Sequence, residues 1–415
     1  MTITARYDVR MVLVLALLTA CTGGGVEAPD VETSVRDSAG VTVVENSGTG
    51  WAPQQGWRVA AEPAVDIGVL EGAPEYQLFQ VRGSAVLSDG RIVVANAGTK
   101  ELRFYSPAGE HLRSVGRQGS GPGEFEELGG VWLVGGDSVV AYDWRGSRLS
   151  VFDPQGGFVR SIRLATGEGV SFPQPVGLTE DRKLIANAGV VFFSGAAKPG
   201  VNRDSTAVLV YDLDGALRDT LGVFPGNEAY VKTDGRSMSV RTLAFGKTLE
   251  SGVHGEHLYA GVTDRHEVGV WRTDGTLARL IRRVHEPMAV APEDIRAYKE
   301  AQLALVDEQP EGTRARSRQM LEEMPYPETF PAFETFEVDA ERHLWVREQT
   351  RPGDDRSLWM VFDGEGRMLG RVELPEGLAV HAIGADWVLG RWTDEYEVEH
   401  VRLHRLDRSP PAPER

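Results

Sequence analysis

The sequence contains one cysteine among 415 residues, and its basic side chains are outnumbered by acidic ones, 44 against 61. A single cysteine excludes a disulfide framework and any zinc site built from several thiolates. The net charge of −17 argues against a protein that grips nucleic acid, because its attraction to phosphates would have the wrong sign. A chain of this length can bury a large core, so neither disulfides nor metals are needed for folding.

Long apolar runs are absent, apart from a short one near the N-terminus. Residues 11–18 are apolar, and they follow the basic residues Arg6 and Arg10. This run is far below the roughly 18 apolar residues that a membrane-spanning helix requires. Residues 1–20 therefore predict a secretory signal peptide.

The only cysteine, Cys21, directly follows two small residues, Thr19 and Ala20. Residues 18–21 resemble the bacterial lipobox, and this resemblance implies that Cys21 is acylated after cleavage. An ordinary cleaved signal with a cysteine nearby is the alternative. With the anchor, we expect a protein of the bacterial cell envelope, held at the outer membrane and facing the periplasm or the cell surface. Residues 21–50 are predicted to form a flexible tether.

Glycine is abundant, with 48 residues against an average share of about 7%, and part of it is periodic. An alternating run that ends in an aromatic residue is followed four positions later by glycine. The five copies span residues 102–109, 149–156, 208–215, 268–275 and 359–366. Glycine between two alternating runs indicates a β-hairpin, because it adopts positive φ without steric cost.

A second repeated element, a polar turn followed by a β-branched or aromatic run, precedes the aromatic positions. Its six copies begin near residues 88, 135, 180, 254, 339 and 383. A period of about 45 residues with four short strands is typical of a β-propeller blade. The last unit has room for three strands, and residues 64–68 are expected to complete it and close the ring. The prediction is an all-β, six-bladed β-propeller over 51–408, with a disordered tail at 409–415.

Two segments carry a more specific resemblance. Residues 143–156, with the Gly-Pro-Gly-Glu-Phe run at 121–125, are similar to the NHL-repeat type of six-bladed propeller. The similarity covers about 57–408 and is clearest in the first two repeats. It implies an extracytoplasmic or scaffold propeller that binds proteins, peptides, glycans or RNA, whereas a minority of related propellers are metal-dependent hydrolases or lyases.

Residues 288–332 change the period from that of strands to that of helices. Pro292 with two acidic residues after it favours a helix start, and Pro310 separates a second apolar stripe that includes Met320 and Leu321. We predict a helical hairpin between the fourth and fifth blades. It serves either as a lid or docking element or only as a packing insertion.

Polar residues recur where the second strand of each repeat ends. Aligning the repeats gives the ring Asn96, Asp143, Asn187, Asp264, Glu348 and Arg391. Convergent carboxylate and amide oxygens could hold Ca²⁺, which takes about six to eight oxygens, and a bound cation could polarise an ester carbonyl. The resemblance to NHL repeats implies instead that Asp143 and Arg148 tie the blade together. Structural pairing, ligand recognition and a catalytic metal all remain open for this ring.

Aromatic and arginine side chains accompany this ring. Trp144 and Arg145 follow Asp143, and Trp392 follows Arg391. Such residues are enriched where partners bind, although tryptophans also wedge blades together. No nucleophile motif is present, so we expect a monomeric binding module for a protein, peptide or glycan, without a cofactor. A calcium-dependent lactonase or esterase is the alternative.

Overall fold

Alternating apolar strands and short polar turns fill most of the chain. The computed structural model describes residues 30–51, 56–166, 173–189, 198–233 and 238–409. The first strands are β1 (Asp30–Ser38), β2 (Val41–Gly50), β3 (Arg58–Val59), β4 (Val65–Ile67), β5 (Val81–Val86), β6 (Ile92–Asn96), β7 (Glu101–Tyr105), β8 (His111–Val115), β9 (Leu128–Val134), β10 (Ser138–Asp143), β11 (Arg148–Phe152), β12 (Phe158–Arg163), β13 (Gln174–Leu178) and β14 (Leu184–Gly189).

The second half continues in the same way, with two helices inserted. The strands are β15 (Gly200–Tyr211), β16 (Leu217–Thr233), β17 (Met238–Thr242), β18 (Leu249–His254), β19 (His257–Val262), β20 (Glu267–Arg272), β21 (Leu277–Arg283), β22 (Phe336–Val338), β23 (Leu344–Arg347), β24 (Ser357–Phe362), β25 (Met368–Leu374), β26 (Ala379–Ile383), β27 (Trp387–Thr393) and β28 (Glu399–Asp407). The helices, α1 (Pro292–Asp307) and α2 (Glu311–Glu323), lie between β21 and β22.

Within the described residues, the strands form six sheets that follow one another along the chain. Their orders are β5-β6-β7-β8, β9-β10-β11-β12, β13-β14-β15-β16-β17, β18-β19-β20-β21-β2-β1, β22-β23-β24-β25 and β26-β27-β28 with β3 and β4. The first strand of each sheet contacts the first strand of the next, and β26 contacts β5 again. The sheets therefore form a closed ring, and the predicted β-propeller class is confirmed.

The core lies between neighbouring sheets, because each sheet is covered on both faces. All five residues of β6 are buried. Its Val93 packs in a cluster with residues of β10 and β11, whereas Ile92 and Val94 pack in a cluster with Leu389 and Val401 of the last sheet. Period-two alternation thus sends successive side chains into two different interfaces. Full burial of each such side chain contributes about 1.5–3 kcal/mol.

The periodic glycines occupy the turns between the third and fourth strands. All five have φ between +80° and +85°, and they are Gly109, Gly156, Gly215, Gly275 and Gly366. At Gly215 an added Cβ would lie 2.1 Å from the carbonyl oxygen of Arg163, which ends the outermost strand of the preceding sheet. Glycine is therefore required here both for the positive φ and for the close approach of two sheets.

The N-terminal segment differs from the prediction of a flexible tether over 21–50. From Asp30 onwards the chain forms the hairpin of β1 and β2, and β2 pairs in parallel with β21. Val43 and Val44 are buried by this pairing, and the amide of buried Asn46 donates to the carbonyl groups of Arg282 and Gly366, both at 3.0 Å. Because Asn46 also accepts from the backbone N–H of Met368, it joins two neighbouring sheets.

The ring closes through the strand that was predicted to complete the last unit. β4 pairs antiparallel with β28, so that Ile67 faces Val401 and Val65 faces Leu403, and this pairing of 64–68 with the last unit is confirmed. A second short strand, β3, pairs with the end of β28. The C-terminal strand thus shares its sheet with two short strands from residues 58–67.

The helices pack on the segment that follows β17. Val306 of α1 and Leu321 of α2 share a cluster with Leu243, Ala244 and Met324. Among the described residues, no helix is both long and apolar enough to cross a membrane. Residues 1–20, Cys21 and most of the tail at 409–415 lie outside the described residues, so the predictions made for them are not addressed by the structure.

Candidate binding face

The six predicted ring residues occupy equivalent places in the six sheets. Each one lies at or near the C-terminal end of the second strand of its sheet, or just after it. They are Asn96 in β6, Asp143 in β10, Asn187 in β14, Asp264 after β19, Glu348 after β23 and Arg391 in β27. Because successive strands run antiparallel, the loops after second strands and the links between sheets share one end of the ring. We call this end the loop face.

Asp143 is fully buried, and its carboxylate organises the loop around it. It accepts hydrogen bonds from the backbone N–H groups of Glu126 and Glu127, at 3.0 and 2.9 Å, and from the guanidinium of Arg148, at 3.1 Å. Arg148 also donates to the carbonyl oxygen of Glu124. The pair therefore fixes the link between the first and second sheets, which is a structural role.

Asn96 performs the same task in the first sheet. Its Oδ1 accepts from the backbone N–H of Phe79 at 2.7 Å, and its Nδ2 donates to the hydroxyl of Thr99 at 2.8 Å. The side chain is completely buried. Both hydrogen-bonding atoms of Asn96 are thus occupied by the protein itself.

The remaining charged ring residues are paired with opposite charges. Asp264 accepts two hydrogen bonds from Arg203, at 2.9 and 3.0 Å. Glu348 accepts from Arg371. Arg391 donates to Glu399 at 2.9 Å, and the other carboxylate oxygen of Glu399 accepts from the backbone N–H of Val81. These bonds hold neighbouring strands and sheets together, because every partner lies on another strand.

Asn187 is the ring member whose bonding is incomplete. Its Nδ2 donates to the hydroxyl of Ser251 at 2.7 Å, on the first strand of the next sheet. Its buried Oδ1 has no hydrogen-bonding partner among the described residues. Each of the six ring residues is thus bonded to different partners in its own part of the ring. In the described part of the chain, no three His, Cys, Asp or Glu side chains are grouped to hold a metal ion.

The two predicted tryptophans have different roles. Trp392 packs beneath the guanidinium of Arg402, which lies 3.4 Å from the ring centroid, and it joins the core of the last sheet. Trp144 is 39% exposed, and the guanidinium of Arg145 lies 5.9 Å from the Trp144 ring centroid. Trp392 therefore acts as a packing residue, and Trp144 is open to solvent.

Other exposed aromatic side chains lie on the loop face. Phe79, in the link before β5, is 62% exposed, and Tyr396, in the loop between β27 and β28, is 68% exposed. Leu78 forms a β-bridge with Glu399, while the backbone of Trp144 donates to the carbonyl of Glu127. We call Phe79, Trp144 and Tyr396 the aromatic arc, since they lie over the last, first and second sheets in succession.

Sequence reasoning missed a set of half-buried ionisable residues on the first strands. Burial, helped by the charge of Glu250, raises the pKa of Glu337 to about 8. Burial also raises the pKa of Glu250, although hydroxyl groups of Thr248 and Thr335 donate to it. Burial lowers the pKa of His381 to about 4. These residues lie in short strands with an ordinary alternation of polar and apolar side chains, so no local sequence motif identifies them.

Comparisons with known proteins identify the fold and no more. No protein-family model matches the chain, and no curated protein matches its sequence. Among solved structures, a member of the DUF4221 family from Bacteroides vulgatus is similar with a TM-score of 0.50 and 10% identity, over 86% of this chain and 100% of that one. A candidate exported protein from Bacteroides fragilis gives 0.49 and 12%, over 88% and 99%. Virginiamycin B lyase from Staphylococcus aureus gives 0.38 and 10%, over 84% and 99%.

Proposed function

We propose that this chain is a lipid-anchored, extracytoplasmic, six-bladed β-propeller of NHL-like type that binds a protein, peptide or glycan through its loop face. Each of the six sheets is taken as one blade. The observation that carries the proposal is the aromatic arc, because three large side chains stay exposed on one face where burial would otherwise be favourable. Aromatic side chains are enriched among the residues that carry binding energy at protein interfaces.

The pairing of the ring residues favours binding over chemistry. A metal-dependent hydrolase would need the oxygens of Asp143, Asp264 and Glu348 to be available to a cation. Each of these carboxylates is instead bonded to an arginine. Removing a carboxylate from such a pair to coordinate a metal would leave a guanidinium without its counter-charge, which is costly where the pair is buried.

The anchor is proposed from residues 18–21 alone. Acylated Cys21 would hold the propeller at the membrane, and residues 21–29 would be the tether, since strand structure begins at Asp30. Cys21→Ser is expected to move the protein from the membrane fraction to the soluble fraction and to abolish labelling by a palmitate analogue. Membrane association that persists in Cys21→Ser would contradict the anchor.

The binding proposal is tested by capture of envelope components on the full-length protein. Replacing Trp144 and Tyr396 by serine should weaken capture by about 2 kcal/mol or more, roughly thirtyfold, as expected for aromatic contact residues. Leu112→Ser is the control, because Leu112 is 51% exposed on the outer strand β8, next to the turn between β7 and β8 at the opposite end of the sheet from the loop face. Equal capture by all three proteins would refute the proposal. Calcium-dependent turnover of a lactone or ester, lost in Glu348→Ala, would favour the hydrolase.

A further inference from the structure

A cavity of about 440 Å³ opens on the loop face of the fourth sheet. It lies between the loop that follows β19 and the end of β21, and its walls include carboxylates, arginines and histidines. This volume is within the range of about 300–1,000 Å³ that is usual for small-molecule sites. Asp264 belongs to its wall, so the cavity adjoins the predicted ring.

The carboxylates of the wall already have positive partners. Asp264 is held by both terminal nitrogens of Arg203. Glu267 accepts from Arg282, and Glu45 lies 3.5 Å from the same guanidinium. No wall carboxylate is therefore left to attract a cation.

Arg283 is a partly buried wall residue that has no ion pair among the described residues. It is half-buried, and its Nε is buried without a hydrogen-bonding partner among the described residues. Its Nη2 donates a long hydrogen bond, 3.5 Å, to the carbonyl oxygen of Gly48. Burial lowers the pKa of Arg283, and the positive charge of Arg371 lowers it further. Glu348 opposes this effect by its charge, but its carboxylate is bonded to Arg371.

Two other wall residues also have uncommitted polar atoms. Arg265 is exposed at the rim and has no ion pair in the described part of the chain. His266 is only 6% exposed, and its Nε2 has no partner there either. Burial lowers the pKa of both His266 and His285, so these rings are neutral near pH 7. A half-buried guanidinium without a counter-charge is costly, and an anionic ligand would remove that cost.

We infer that this cavity binds a compact anion, either a carboxylate or a phosphoryl group, which pairs with the guanidinium of Arg283 while Arg265 closes the rim. The inference rests on the proposed function, because it assigns to the same face the chemical group that a bound partner presents. Arginine suits this task, since its planar fork donates two parallel hydrogen bonds to either oxyanion.

The test is calorimetric titration of the full-length protein in detergent with inorganic phosphate and, separately, with succinate, against chloride as reference. At least one of the two anions is expected to bind, and the better ligand distinguishes phosphoryl from carboxylate recognition. Arg283→Met should weaken that binding by at least about tenfold, the loss expected for a charge-assisted hydrogen bond. Arg272→Met is the matched control, because Arg272 is exposed at the end of β20 and outside the cavity wall.

The inference is overturned if neither phosphate nor succinate binds more tightly than chloride, or if Arg283→Met binds as the wild type does. Should Arg283→Met fail to fold by circular dichroism, Arg283→Lys decides, since it keeps the charge and loses the fork. Weakened binding in Arg283→Lys supports the inference, and unchanged binding refutes it. Absence of anion binding by the wild-type protein, with capture through the aromatic arc still observed, would remove this inference and leave the proposed function standing.

Discussion

Glu337 makes the stability of the ring depend on pH in a definite direction. It lies on β22, and its pKa is raised from 4.5 to about 8 by burial and by Glu250. The folded protein therefore keeps a proton on Glu337 over a pH range in which the unfolded chain has released it. The stability that this proton contributes is complete below about pH 4.5 and is lost as the pH rises through about 8.

The size of the effect follows from the two pKa values of Glu337. Full conversion of the difference between 4.5 and about 8 gives about 5 kcal/mol, at 1.36 kcal/mol for each pH unit. Part of the side chain remains accessible to solvent. Water then screens some of the cost of ionisation, and we expect about 2–3 kcal/mol between pH 4.5 and pH 8.5.

Glu337→Gln removes the ionisation and keeps the shape of the side chain. The variant should match the wild type at pH 4.5 and exceed it by about 2–3 kcal/mol at pH 8.5, as measured by urea unfolding across this range. Glu110→Gln is the control, because Glu110 is exposed in the turn before β8. If the difference between wild type and Glu337→Gln were the same at every pH, the reasoning from burial would be wrong.

Three further substitutions probe the bonds between sheets. Asp143→Asn should lower the free energy of unfolding by about 3 kcal/mol, seen as a lower melting temperature. Arg148 loses its buried counter-charge, and two backbone N–H groups lose a carboxylate acceptor. Asn46→Ala should cost about 3 kcal/mol in urea unfolding, since three backbone groups lose their partner. Gly215→Ala should cost about 2–3 kcal/mol by the same assay, because its Cβ would meet the carbonyl of Arg163. Gly312→Ala is its control and should stabilise slightly, since Gly312 lies in α2 with open space around it.

These expectations have clear contrary outcomes. An unchanged melting temperature in Asp143→Asn would mean that the loop is held by its other bonds. Loss of less than about 1 kcal/mol in Asn46→Ala would show that water replaces the amide. Equal effects of alanine at Gly215 and Gly312 would show that the contact between sheets is not the cause.

The sequence predicted those features of the fold that repeat within a short window. The glycine four residues after each aromatic marks a turn because the turn itself requires positive φ, and Gly366 is one of the five that do so. The closing strand at 64–68 could be placed because the last unit lacked one. Residues 30–50 were misassigned because the partner of β2 is β21, more than 200 residues away. A local pattern does not specify such a pairing.

The candidate site shows the same division. The ring positions could be aligned from the repeats. The role of each ring residue, however, depends on hydrogen-bonding partners, and most of these are distant in the sequence. Asp143 and Arg148 are five residues apart, and that structural pairing was among the alternatives. The arginines that pair with Asp264 and Glu348, which are Arg203 and Arg371, were not predicted. The perturbed pKa of Glu337 could not be predicted, because a single glutamate between Phe336 and Val338 fits the ordinary alternation of polar and apolar residues in a strand.

The sharing of sheets by distant segments sets an order for folding. β2 can pair with β1 at once, but its other edge has no partner until residues 277–283 have been synthesised, and β4 has no partner until β28 has followed. Val43, Val44, Val65 and Ile67 must therefore wait with their apolar side chains uncovered. Pairings of such long sequence separation form slowly and leave the chain open to aggregation in the meantime. β2 and β4 thus come early in the chain and are among the last strands to complete their pairing, so they are the segments most exposed to aggregation while the rest of the ring folds.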